Sequence, residues 1–211
     1  MSFTIGLDID GVVADSFPVF LEELNKYYGK DITKIDNYDI SKVYDVDGDD
    51  LDVFFDNNVE YLFTAPKPMP GAVENIDSWL RAKHEIIFVT ARKKGKEEEV
   101  TQKWFERYNL PKDKIIFTGG LSKTFAVKKY GVDVFVEDFI TNALEIAALG
   151  VPVLLLDAPY NQGKLPQGVI RCSNWQEIKC CVQKILLNSK KFRPDKIGEN
   201  KSYFDRMWFM K

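Results

Sequence analysis

The sequence predicts an α/β fold. It reads as a Rossmann-like parallel sheet with helices on both faces, interrupted after its first strand by a small helical insertion. Three observations carry this expectation. Beyond residue 70, short apolar runs alternate with single helical patterns. Those runs are rich in β-branched and aromatic residues, as strands buried on both faces require. Residues 30–69 break the rhythm, because they hold many Asp and Asn residues and no run that fits the strand pattern.

The elements follow in order. Thr4–Ile9 is a short apolar run ending in acids and reads as strand one. Pro18–Tyr28 is helical, with Leu21, Leu24 and Tyr28 at helical spacing and Gly29 as the stop. Residues 70–83 form an amphipathic helix, with Pro70 suited to its first turn. Glu85–Val89 is strand two, Glu97–Tyr108 a helix ending before Pro111, and Lys114–Phe117 strand three. Leu121–Tyr130 is helical up to Gly131, Val132–Val136 is strand four, and Thr141–Leu149 is helical up to Gly150. Val151–Leu156 is strand five, and Asn174 caps a last helix running to about Leu187.

Composition narrows the classes of function. The chain has 211 residues, 45% hydrophobic and 29% charged, which suits one domain carrying a small insertion. Its net charge of −3 argues against a partner made of nucleic acid, which a basic excess would signal. No apolar run approaches the ~18 residues of a membrane span, so no membrane partner is expected. Asp8, Asp10 and Asp15 interrupt the apolar stretch that a signal peptide needs. The 3 cysteines, two of them adjacent, do not form a disulfide framework, and the natural compartment is a reducing cytoplasm. With only 1 histidine, His84, chemistry must rest on carboxylates, Lys, Arg or hydroxyls.

Four clusters of such residues end or follow strands. They are Asp8-Ile9-Asp10-Gly11, Thr90-Ala91-Arg92, Lys123, and Glu137-Asp138. Right-handed crossovers bring every strand-to-helix loop to one edge of the sheet, where ligands bind. Four carboxylates against one lysine leave that edge short of positive charge. A hard divalent cation with oxygen ligands resolves the repulsion, and Mg²⁺ is the expected cofactor. Asp8 and Asp10, two apart in extended chain, point the same way, and Gly11 permits a sharp turn. Asp8 is then placed to attack phosphorus, and Asp10 to protonate the leaving oxygen and later deprotonate water. Thr90 and nearby backbone N–H groups, including that of Ala91, would hold phosphate oxygens, and Lys123 would neutralise developing charge. Arg92 either reaches phosphate or lies on the surface.

Taken singly, each cluster has an ordinary explanation. A lone Asp-x-Asp is usually a cap or turn, and Lys123 shares a Lys-rich stretch with Lys128 and Lys129. The combination, in order and at successive strand ends, is what points to chemistry. Asp45-Val46-Asp47-Gly48-Asp49 matches a calcium loop poorly and reads as an acid-rich helix start. Gly119-Gly120 lacks the spacing of a phosphate-cradling loop, and His84 reads as structural.

The pattern resembles the haloacid dehalogenase (HAD) superfamily of phosphohydrolases over about residues 3–157. Motif one matches Asp8-Ile9-Asp10-Gly11-Val12, motif two Thr90, motif three Lys123 with Lys128 as the fallback, and motif four Glu137-Asp138. The resemblance implies a Mg²⁺-dependent reaction through an aspartyl-phosphate. It also implies metal ligation by Asp8, by the backbone carbonyl of Asp10 and by motif four, with Asp138 direct and Glu137 through water. Residues 1–14 and 70–188 would be the core, 15–69 a helical cap over the site, and 189–211 a polar tail with late aromatics. The chain is most similar to the 5′(3′)-deoxyribonucleotidase group. Asp8 to Asp15, Phe88 to Arg92, Asp157-Ala158-Pro159-Tyr160-Asn161, Arg171 and Asn174-Trp175 carry that similarity, although Ala91-Arg92 departs from the best-known members. The expected substrate is a (deoxy)nucleoside monophosphate, with Phe17 and Tyr44 of the cap stacking on the base. Other readings stay open: a sugar-phosphate phosphatase or phosphomutase on the same scaffold, a phospho-accepting receiver, or an idle nucleotide-binding relative. A homodimer is left open too.

Overall fold

The computed structural model describes residues 2–191. The sheet has six parallel strands: β1 (Thr4–Leu7), β2 (Glu85–Thr90), β3 (Ile115–Phe117), β4 (Val134–Glu137), β5 (Val153–Leu156) and β6 (Val169–Cys172). Their order is β3-β2-β1-β4-β5-β6, with β1 central between β2 and β4. The strand order reverses between β1 and β4, so the ligand crevice of a doubly wound sheet falls at the C-terminal end of β1. Register fixes that edge: Leu7 pairs with Phe88 on one side and Val136 on the other. Asp8 therefore leaves β1 level with Val89, next to Thr90, and with Glu137.

The helices are α1 (Phe17–Tyr28), α2 (Ile40–Tyr44), α3 (Gly48–Thr64), α4 (Ala72–Arg81), α5 (Lys96–Arg107), α6 (Thr124–Tyr130), α7 (Ile140–Ala147) and α8 (Trp175–Lys191). Strand side chains alternate between two cores. Ile5, Leu7, Phe88 and Val134 pack with Trp79 of α4, Trp104 and Phe105 of α5 and Trp175 and Ile178 of α8. Ile87, Val89, Phe135 and Val153 pack on the other face with Ala126 of α6 and Ala143 and Ile146 of α7. Gly6 makes this possible in β1, since a Cβ there would collide with the Phe135 ring.

The helical insertion has a third core of its own. Phe20 and Leu24 of α1, Tyr44 of α2, and Phe54, Leu62 and Phe63 of α3 bury one another, and Val100 of α5 joins them. Asp47 caps α3, its side chain accepting from the Asp49 N–H at 2.8 Å, as the acid-rich start anticipates. The chain leaves and re-enters the sheet side by side: Asp15 N–H donates to the Lys67 carbonyl and Met69 N–H to the Val13 carbonyl, both at 2.8 Å. Such an insertion after β1 fits a cap.

Two differences from expectation stand out. β6 is an added sixth strand. It lies at the sheet edge, and the partly exposed Arg171 interrupts its apolar run. Helix α8 extends to Lys191, capped by Asn174, which accepts from the Glu177 N–H at 3.0 Å. Residues 192–211 of the expected tail lie outside the described residues. Among the described residues, no helix is long and apolar enough to cross a membrane.

Candidate active site

The turn after β1 is built by its own backbone. The Ile9 carbonyl accepts from the N–H groups of Val13 and Ala14 at 2.9 and 2.8 Å. Gly11 takes φ +75°, a conformation that favours glycine, and a Cβ there would collide with the Asp138 carboxylate. Trp175 closes the turn from the far side, its indole N–H donating to the Val12 carbonyl at 2.8 Å. Asp8 is tied to β4, since its N–H donates to the Val136 carbonyl at 3.0 Å.

Asp8, Glu137 and Asp138 meet as expected. Each offers a carboxylate oxygen within 4.8 Å of the others, and all three are buried. Lys123, at the start of α6, bridges two of them, with Nζ 2.7 Å from Asp8 Oδ2 and 2.9 Å from Glu137 Oε2. Asp8 Oδ1 accepts from the Ile9 N–H at 2.7 Å. Glu137 Oε1 accepts from Asn142 Nδ2 at 3.0 Å. Asp138 Oδ2 accepts from the Tyr160 hydroxyl, while its Oδ1 is buried with no hydrogen-bond partner among the described residues. A buried carboxylate oxygen left in that state is costly unless a cation faces it. The donor set is all oxygen, as a hard divalent cation requires, so these residues fit Mg²⁺.

Electrostatics agree with the crowding. Burial, then the charge of Glu137, pushes the Asp8 pKa well up, with Lys123 opposing. The same two causes push Asp138 up to about 8. Burial alone would lower Lys123, but Asp8 and Glu137 outweigh it and hold the ammonium charged.

Asp10 sits in a different environment. Arg92 grips both of its oxygens, Nε at 2.8 Å and Nη2 at 2.7 Å, and Ser16 donates at 2.5 Å. Burial opposes the charge on Asp10, but the Arg92 guanidinium wins and holds its pKa below the ordinary value. Of the two places the sequence allowed Arg92, the surface is excluded, because the residue is 4% exposed. Its third nitrogen donates to Thr101 Oγ1 at 2.8 Å, and the ring of Phe63 lies 4.1 Å from its guanidinium carbon. Thr90 is buried at the end of β2, and its hydroxyl oxygen accepts from the Arg92 N–H at 3.2 Å.

A cavity of about 220 Å³ opens beside Asp10 and Arg92. Ala91 and Glu97 line its core side, and Phe17, Phe20, Tyr38 and Phe63 line its cap side. Phe17, expected to stack on a base, is one of the residues that line this cavity. Tyr44 is corrected: it is fully buried in the core of the insertion, its hydroxyl bonded to Asn25 Oδ1 at 2.9 Å. Helical spacing on α2 turns it inward, away from the cavity.

Tyr38, in the loop before α2, holds the place expected of Tyr44. It stacks on Phe139 at 3.6 Å between centroids. Burial first, then the field of Asp138, Asp8, Glu137 and Asp10, pushes its phenol pKa up. Sequence reasoning missed Tyr38, Tyr160, Asn161 and Thr101. Only Tyr160 and Asn161 had left a trace, in the Asp157 to Asn161 stretch.

Comparison with known proteins settles the family. Residues 2–192 match the model of the family described as 5′ nucleotidase, deoxy (pyrimidine), cytosolic type C. The chain belongs to this family, a branch of the HAD superfamily. A relative from Halalkalibacterium halodurans, which bears a provisional nucleotidase name, is 34% identical over 187 residues, covering 87% of this chain and 94% of its own. A nucleotidase of Clostridium acetobutylicum is 29% identical over 188 residues, covering 88% and 96%. Among solved structures, a HAD-like hydrolase from Streptococcus pneumoniae superposes with TM-score 0.62 at 12% identity, covering 87% and 98%. A HAD family hydrolase from Deinococcus radiodurans, solved with phosphate and sodium, gives 0.60 at 17%, covering 88% and 97%. At such identities the structures speak for the fold alone. Family membership makes the chain a HAD-type phosphatase of the nucleotidase class, which removes the receiver alternative.

Proposed function

We propose that this nucleotidase is a Mg²⁺-dependent phosphomonoesterase that acts on (deoxy)nucleoside monophosphates through an aspartyl-phosphate on Asp8. The observation that carries the reading is the meeting of Asp8, Glu137 and Asp138 within 4.8 Å around the unpartnered Asp138 Oδ1. Asp8, the main-chain carbonyl of Asp10 and Asp138 would hold the metal, with Glu137 acting through water. Mg²⁺, when bound, offsets the carboxylates and draws the phosphate dianion toward Asp8.

The chain's own groups divide the work. An Asp8 oxygen attacks phosphorus, the ester P–O bond breaks, and Asp10 gives the leaving oxygen a proton. Asp10 then takes a proton from water, which attacks the aspartyl-phosphate and frees Asp8 and inorganic phosphate. Arg92 holds Asp10 as the carboxylate that this second step uses. A phosphate within reach of Arg92 would compete for its donors and raise the proton affinity of Asp10 for the first step. Lys123 steadies the charge on Asp8 and on the transferring group, and the Thr90 hydroxyl and Ala91 N–H suit phosphate oxygens.

The substrate class rests on the family and on the cavity. Phe17, Phe20, Tyr38 and Phe63 give flat apolar walls beside Arg92, suited to a nucleobase. Residues 15–69 serve as the cap that brings those walls to the core, and a cytosolic location fits the family description. The test is a panel of nucleoside monophosphates and sugar phosphates, assayed with Mg²⁺ and with chelator. Nucleotide hydrolysis that chelation and Asp8→Asn both abolish is the expected result. Equal rates on sugar phosphates lacking a base would turn the reading toward a sugar-phosphate phosphatase.

A further inference from the structure

Asp138 is held by a segment outside the four motifs. The 3-10 turn Pro159–Asn161, which follows β5, grips it twice. The Asn161 side-chain amide donates to the Asp138 carbonyl at 2.7 Å and to the Leu156 carbonyl at 2.8 Å, fixing the backbone. Arg171 of β6 fixes Asn161 in turn, donating to its Oδ1 at 2.6 Å and to its carbonyl at 2.7 Å. The Tyr160 hydroxyl donates to Asp138 Oδ2.

That last contact decides which oxygen is left for a ligand. The terminal torsion of an aspartate is soft and nearly two-fold, so a buried carboxylate can present either oxygen. Here Oδ2 is taken by Tyr160 and packed against Gly11, whose added Cβ would also crowd the Tyr160 hydroxyl at 2.9 Å. Oδ1 is left buried and unpartnered. The tyrosine ring is itself seated by the insertion, with Phe17 at 4.5 Å and Tyr38 at 5.7 Å between centroids.

We propose that Tyr160 is a positioning residue for the metal site. Its hydroxyl occupies one oxygen of Asp138 so that the other faces the divalent cation, and Phe17 and Tyr38 hold that hydroxyl in place. This rests on the metal-dependent reading above and adds to it a link between cap and metal.

The test measures Mg²⁺ binding directly, by calorimetry on the full chain, and Mn²⁺ binding by electron paramagnetic resonance. Wild type, Tyr160→Phe and Tyr160→Leu are compared, with unfolding midpoints recorded without metal. Loss of an outer hydrogen bond to a metal ligand typically weakens affinity about tenfold or more. Tyr160→Phe should weaken both metals by about that factor, keep the unfolding midpoint, and regain wild-type kcat at high Mg²⁺. Tyr160→Leu should lose the same affinity and also lower the midpoint. Wild-type affinity in Tyr160→Phe, with loss confined to Tyr160→Leu, would reduce the residue to packing and overturn the proposal. No metal binding by wild type would overturn the metal reading itself, a different failure from the first.

Discussion

Arg92 grips both carboxylate oxygens of Asp10, at 2.7 and 2.8 Å, while Phe63 of the helical insertion lies 4.1 Å from its guanidinium carbon. One side chain therefore touches Asp10, helix α5 through Thr101, and the insertion. Arg92→Met strands Asp10 in a site where it is 23% exposed, so the loss falls below that of a fully buried pair. It should cost about 2 kcal/mol of stability. It should also lower kcat more than it raises KM. Arg92→Lys keeps the charge but not the fork, and should fall between. Urea unfolding and steady-state kinetics check both variants, and unchanged kcat in Arg92→Met would show the grip to be idle.

On the proposed reading, metal and proton would compete at Asp138. Burial and then Glu137 move its folded pKa from the ordinary 3.8 to about 8. Without metal, the folded chain keeps a proton that the unfolded chain releases above about pH 4. That contribution to stability is complete below about pH 4 and is lost as pH rises through about 8. Bound Mg²⁺ would take the place of that proton. The rise in Tm caused by Mg²⁺ should therefore grow between about pH 6 and about pH 9. Thermal unfolding with and without Mg²⁺ across that range is the measurement, and a pH-independent increment would contradict the reading.

Tyr38 stacks on Phe139 at 3.6 Å and joins the insertion to the loop after β4. A stacked aromatic pair is worth about 1 kcal/mol. Tyr38→Ala should lower kcat/KM for nucleotides about fivefold, and lower it less for a small aryl phosphate that fills little of the cavity. Parallel kinetics on the two substrates check this, and equal losses would show that Tyr38 does not act through the bound base.

Gly11→Ala places a methyl group where the Asp138 carboxylate lies, at a backbone with φ +75°. Mg²⁺ affinity should fall about 100-fold, at the upper end of what disturbing a metal ligand's support costs. Isothermal titration checks it, alongside circular dichroism for the fold.

The chemistry-bearing acids and Lys123 were legible because a parallel sheet sends every strand's end to one edge, so order along the chain becomes proximity in space. Asp8, Glu137, Asp138 and Lys123 meet for that reason. Arg92 was half legible: its position followed from β2, but its partner depended on the turn through Gly11 to Ser16. Tyr38 and Tyr160 were not legible, since they lie in a loop and a 3-10 turn, where no periodicity tells which way a ring points. Tyr44 was misplaced because the insertion has a core of its own, and an aromatic on a short helix turns toward whichever core is nearer. β6 was missed because it is an edge strand whose apolar run is broken by Arg171.

The central claim is that Asp8 accepts a phosphoryl group beside a cation held with Asp138. The most direct measurement is a crystal structure grown with Mg²⁺ and beryllium fluoride, an aspartyl-phosphate mimic. The account predicts the fluoride adduct on Asp8, with Mg²⁺ between it and Asp138. An adduct on another acid, or Mg²⁺ bound away from Asp138, would contradict it.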